Sequence, residues 1–145
     1  MNRTFAGVAL FFALSMPGWA SDWLALGPGG DGMFQIYLDR DSLRRSGSKT
    51  QAVEKYVYQI PVQHTGGRLI QAITARTAYD CVRRTKLVLQ GAAFSDAAAT
   101  VAIDALQRGD RPSSYTQVIP DSFEDTAFKA VCQSEAGHPL QTAQE

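Results

Sequence analysis

The residues of this chain best suited to chemistry are two cysteines, two histidines, scattered serines and aspartates, and two arginine pairs. Cys81 and Cys132 are the only thiols. A thiol pair can ligate a metal, exchange with another disulfide or close on itself. A zinc site needs a full ligand set at short recurrent spacing, and His64 and His138 do not supply one, His138 lying in a polar tail. A redox pair would read Cys-x-x-Cys, which is absent. Where thiols oxidise, the remaining chemistry is a Cys81–Cys132 disulfide. Closing a loop of about 50 residues removes unfolded-state entropy worth about 4 kcal/mol, comparable to the whole stability of a small domain.

The other constellations are weaker. Ser42, Ser46 and Ser48 with His64 and nearby aspartates invite a triad comparison, but no serine sits in Gly-x-Ser-x-Gly and His64 runs into Gly66-Gly67, a turn. Asp39 and Asp41 flank Arg40 in the manner of an acid/base pair, yet Asp and Ser at such positions bond neighbouring backbone amides and read as turn caps. Arg44-Arg45 and Arg83-Arg84 offer a basic patch for an anionic polysaccharide or an acidic protein surface, with a solvated face as the plainer reading. Gly27 to Gly32 has neither the pattern nor the following helix of a phosphate loop, and no cofactor motif is present. Lys plus Arg equals Asp plus Glu at 14 each, so the chain has no broad basic field for nucleic acid or anionic membrane.

An oxidising compartment is implied by the first residues. Arg3 leads into the apolar run 5–16, shorter than the roughly 20 residues needed to cross a bilayer. Pro17-Gly18-Trp19-Ala20 then supplies a breaker and small residues suited to signal-peptidase cleavage between Ala20 and Ser21. Residues 1–20 are therefore expected to be a signal peptide, 21–134 one domain and 135–145 a flexible tail. No cysteine lies near the cut and no second long apolar segment follows, so neither a lipid anchor nor stable membrane insertion is expected.

The elements that must position these residues follow from periodicity. Trp23 to Leu26 precedes an expected Gly/Pro loop, 27–32. Met33 to Leu38 alternates as a strand with Phe34, Ile36 and Leu38 on one side, and Asp39 to Gly47 reads as a polar turn region. Lys49 to Val62 is a strand with Tyr56, Tyr58 and Ile60 on one face. Leu69 to Cys81 has period two, Leu69, Ile73, Ala75, Tyr79 and Cys81 pointing inward and Arg76 and Asp80 outward. Thr85 to Leu89 continues the sheet. Ser95 to Leu106 is open between a short helix and a strand with a loop, alanines favouring one and Thr100, Val101 and Ile103 the other. Pro120-Asp121-Ser122 with Glu124 and Asp125 starts a helix that carries Phe123, Ala127, Ala130 and Val131 at helical spacing and has Cys132 in its last turn. The fold class is α+β: an antiparallel sheet of five to six strands with a C-terminal helix on one face, tethered by the disulfide.

Several short motifs in fixed order carry a resemblance. Trp23, the run Tyr37-Leu38-Asp39-Arg40-Asp41-Ser42-Leu43-Arg44-Arg45-Ser46-Gly47, then Tyr79-Asp80-Cys81, Val118-Ile119-Pro120-Asp121-Ser122 and Val131-Cys132 resemble the surface-adhesin protein E family of Gram-negative bacteria. The resemblance implies a helix held by a disulfide against the concave face of an antiparallel sheet. It also implies a non-enzymatic role, since adhesins of the family bind host extracellular-matrix proteins such as vitronectin and laminin. Tyr115 stands where the family usually has Trp, and the segment 96–110 is longer and richer in alanine. The host-binding adhesins are lipid-anchored, whereas this sequence lacks the attachment cysteine, which favours the periplasm over the cell surface or secretion.

The expectation is an exported, non-enzymatic binding module that contacts a protein partner, a host matrix protein if the resemblance extends that far, through the uncovered sheet face or the region of Asp39, Arg40, Arg44 and Arg45. The alternatives are a small periplasmic enzyme or enzyme inhibitor using the Ala-rich segment as its active loop, or a structural subunit of an envelope assembly.

Overall fold

The structure, a computed structural model, describes residues 21–134. The expected signal peptide 1–20, with Ala20 of the cleavage pair, and the tail 135–145 lie outside the described residues; Ser21 is exposed at the start of the domain. Strands β1 (Trp23–Gly29), β2 (Phe34–Ser46), β3 (Lys49–Gln63), β4 (Leu69–Asp80), β5 (Thr85–Phe94) and β6 (Ala102–Gln107) form an antiparallel meander in sequence order. A two-residue β7 (Thr116–Gln117) pairs with the start of β5, and the chain continues into helix α1 (Phe123–Ser134). This is the expected α+β class, with one strand more than the upper expectation.

The inward faces of the strands make the core on which the helix docks. Leu38, Ala52 and Tyr79 pack against Val118, Ala127, Phe128 and Val131, all buried. Full burial of an apolar side chain of this size contributes about 1.5–3 kcal/mol. The helix starts as its sequence requires: the Ser122 hydroxyl accepts the Asp125 amide at 3.2 Å, and Glu124 and Asp125 occupy the first turn. Its last turn is tied down by the Cys81–Cys132 disulfide, whose Cα atoms lie 5.7 Å apart, within the span such a bond allows. On the other face of the sheet Ala78, Leu87 and Leu89 form a smaller cluster against Tyr115, so the face expected to be uncovered is partly roofed by the segment after β6.

Four local expectations are corrected. The Gly/Pro stretch is not all loop, because β1 runs through Gly27-Pro28-Gly29 with a bulge after Ala25. Gly27 supplies a φ of 107° there, and Pro28 is tolerated because β1 is an edge strand. The polar region after Leu38 is strand: β2 continues to Ser46, residues 40–43 bulge opposite Ala52, and the turn itself is confined to Gly47-Ser48. Its polarity reflects a part of the strand that extends past the core. Asp80, expected to face solvent, is 2% exposed because its carboxylate accepts the amides of Val82 and Arg83 and closes the β4–β5 turn. Leu69, expected on an inward face, is 48% exposed at the start of β4, and Ile60, expected on one face with Tyr56 and Tyr58, is 79% exposed in the stretch of β3 where the strand pairing slips between Val57 and Val62.

The Ala-rich segment resolves to a strand with a preceding turn. The Asp96 carboxylate accepts the amides of Thr100 and Val101 and the Thr100 hydroxyl, a local capture that competes with a helical ladder. The chain then pairs with β5 as β6.

Candidate functional site

The residues expected to form a contact surface lie along the outer half of β2, which the bulge divides. The Asp39 carboxylate accepts the Asp41 amide at 3.1 Å, the capping role expected of it. The Ser42 hydroxyl donates to the Asp39 carbonyl at 2.6 Å and accepts the Val53 amide at 2.7 Å, pinning the bulge to β3. Arg40 lies beside the Asp22 carboxylate at 2.6 Å. Arg44 donates to the Asp41 and Leu43 carbonyls, and Arg45 to the Gly47 carbonyl. Arg40, Asp41 and the run 44–48 are exposed. The Cys81 amide donates to the Ser48 carbonyl at 3.2 Å, so the tips of β2–β3 and β4–β5 lie side by side. The two arginine pairs therefore share one end of the sheet. Arg84 there bonds Asp125 at 2.7 Å, and the more exposed Arg83 approaches Asp80 at 3.6 Å.

His64 is held at the other end, beyond β3, its Nε2 2.8 Å from the Asp104 carboxylate, while the Ser42 hydroxyl is committed to the bulge. The triad comparison therefore has no geometry behind it. Arg68 of the same turn donates to the Ile103 carbonyl, so the β3–β4 tip folds over onto β6. Among the described residues no group of three or more His, Cys, Asp or Glu is placed to hold a metal ion.

Sequence reasoning missed a groove on the helix side of the sheet. Its volume is about 390 Å³, and it opens between the first turn of α1 and the inward faces of β2 to β6. Ile73, Ala75, Val88 and Leu106 line its floor and far wall, and Phe34, Tyr56, Tyr58 and Phe123 its near wall. These four rings pack edge to face with centroids 5.2–6.3 Å apart and planes at 71–87°. Gly29 permits this packing, since a Cβ there would lie 2.9 Å from that of Phe123.

At the base of the groove is Glu54, 1% exposed. Its carboxylate accepts the Tyr56 hydroxyl at 2.6 Å, the Thr77 hydroxyl at 3.3 Å and the Tyr79 hydroxyl. Burial pushes the Glu54 carboxyl above the ordinary carboxylate range, against the opposing pull of the two phenols and then Lys86. Burial and then the Glu54 charge raise both phenols well above the ordinary tyrosine value, so they remain donors. Above them Lys86 Nζ meets Glu124 Oε1 at 2.6 Å, joining β5 to the start of α1. The signal for Glu54 was present in the sequence: it occupies the inward register of β3 between Ala52 and Tyr56. The partners of Lys86 and Phe123 had no local signal, because the helix that supplies Glu124 and the strand that supplies Phe34 are remote in sequence.

The family description of surface-adhesin protein E matches residues 23–133, from the start of β1 to the last turn of α1. The chain belongs to the surface-adhesin protein E family. No curated protein matches it. Membership in this surface-adhesin family implies an exported or cell-surface protein, and the matched span holds the disulfide, the basic end of the sheet and the whole groove. Among the described residues no helix is long and apolar enough to cross a membrane.

Proposed function

We propose that this surface-adhesin protein E family member is an exported, non-enzymatic module that binds a protein partner through the end of the sheet bearing Asp39, Arg40, Arg44 and Arg45. The observation carrying this reading is that the outer half of β2 is exposed yet held by its own bonds: the Asp39 carboxylate, the Ser42 hydroxyl and the Arg44 guanidinium all bond the backbone of the bulge and its neighbour. A preorganised charged arm loses little entropy on association. Charges at such a rim set encounter rate and salt dependence. The family makes host matrix proteins the first partners to test. The mature chain from Ser21 is expected to bind immobilised vitronectin or laminin with a rate that falls as salt rises, and Arg44→Glu/Arg45→Glu is expected to slow association. No binding to either protein, or an unchanged rate in the double variant, would reject this reading. Its destination is the periplasm, with secretion or the cell surface as further steps; cell fractionation checks this, and recovery in the cytoplasm would contradict it.

The groove favours the second reading, a small enzyme or enzyme inhibitor. Its ionisable groups, however, close on one another: Glu54 accepts three hydroxyls and Lys86 is paired with Glu124. That arrangement supports holding a molecule over transforming one. A structural subunit built by strand addition has less support, because β1 carries a bulge and Pro28, and on β6 the Ile103 carbonyl and Ala105 amide are taken by Arg68 and Asp104.

A further inference from the structure

We propose that the groove beside α1 binds a small molecule with an apolar body and a terminal ammonium group, independently of the contact surface on β2. The volume, about 390 Å³, lies within the range of small-molecule sites. Its walls are aliphatic and aromatic, which suits an apolar body. The head group is decided by charge: Asp104 and Glu124 present carboxylates to the groove, Glu54 lies buried at its base, and Lys86 is the one ammonium in the lining, with His64 bonded to Asp104 from outside it. The groove already stabilises one ammonium in this setting, since the Lys86 side chain is only 15% exposed and its Nζ is held by Glu124 at 2.6 Å. A second ammonium entering the groove finds the partly exposed carboxylates of Asp104 and Glu124, each shared with one basic neighbour, and the π-systems of Tyr56, Tyr58 and Phe34, which attract cations. A carboxylate entering there meets the same acids as repulsion. The helix N-terminus does not reverse this preference, because Glu124 and Asp125 already stand in its first turn.

The test is titration calorimetry of the mature chain with three probes of one shape: 4-phenylbutylamine, 4-phenylbutanol and 4-phenylbutyrate. The amine is expected to bind at least about tenfold more tightly than the acid, with the alcohol between, the scale of one charge-assisted contact. Glu124→Gln is expected to narrow that preference. Gly91 provides the blocking variant, because a Cβ there meets nothing nearer than the Thr74 carbonyl at 3.7 Å and points toward Leu106 and Val88. Gly91→Leu is expected to abolish amine binding while leaving the unfolding temperature within a few degrees of the parent. Should that variant fail to fold, Ala93→Phe fills the same space and takes its place. Absence of heat with the amine, equal or tighter binding of the acid, or unchanged affinity in the folded blocking variant would each overturn the proposal.

Discussion

Replacing Cys81 and Cys132 together with alanine tests how the helix is secured. The bridge joins residues 51 apart in sequence, and in the chain-entropy account a loop of that length lowers the free energy of folding by about 4 kcal/mol. The native contacts of α1 do not depend on the sulfurs: Ala127, Phe128 and Val131 still pack on Leu38, Ala52 and Tyr79. The double variant is therefore expected to fold and to be weaker by about 4 kcal/mol, a fall of about 15 °C in unfolding temperature for a domain of this size. The assay is urea unfolding followed by far-ultraviolet circular dichroism, with the reduced parent protein as control. Because the cross-link acts on the unfolded chain, its removal exposes more surface on unfolding, and the slope against urea is expected to steepen. A double variant within about 1 kcal/mol of the parent, with an unchanged slope, would refute the reasoning.

Three further outcomes follow from the packing and charge of the same region. Phe128→Ala empties the centre of the helix–sheet contact, where Phe128 meets Tyr79 with ring centroids 6.0 Å apart, and is expected to cost about 3–5 kcal/mol in chemical denaturation. Asp125 is held down to about 2 by Lys129, the Asp121 amide and Arg84. A lowered folded-state value contributes stability above the unfolded carboxylate range and loses it on acidification, so unfolding temperature is expected to fall from about pH 4 toward pH 2, a slope that Asp125→Asn should flatten. Glu54 has the opposite sign: its raised folded-state value contributes stability that is present in acid and lost as pH rises past the ordinary glutamate range. Glu54→Gln is thus expected to gain on the parent as pH rises from about 4 toward neutrality, and a difference independent of pH would contradict this account.

Much of the fold was legible because its signals are local. Phe34, Ile36 and Leu38 alternate on β2, Tyr79 takes the inward register of β4, and Ser122 with two following acids announces α1. The errors fall where tertiary pairing outweighs composition. A Gly-Pro-Gly segment became strand because β1 lies at an edge, polar residues after Leu38 became strand because β2 outruns the core, and Asp80 was buried by a turn that closes over it. Bulges were the least legible feature, since the slipped pairing between Val57 and Val62, in which Ile60 lies, leaves no mark in residue type.

The sequence by itself determined the covalent tether, the order of strands before helix and part of the helix–sheet core, Leu38, Tyr79, Ala127 and Val131, because each depends on residue type and short-range periodicity. Only the tertiary structure decided that the two arginine pairs share one end of the sheet and that Glu54, Lys86 and Glu124 meet around an apolar groove. Those groups come from β2, β3, the turn between β4 and β5, β5 and α1, and their approach depends on curvature and register across the whole sheet, quantities that no local stretch of sequence encodes.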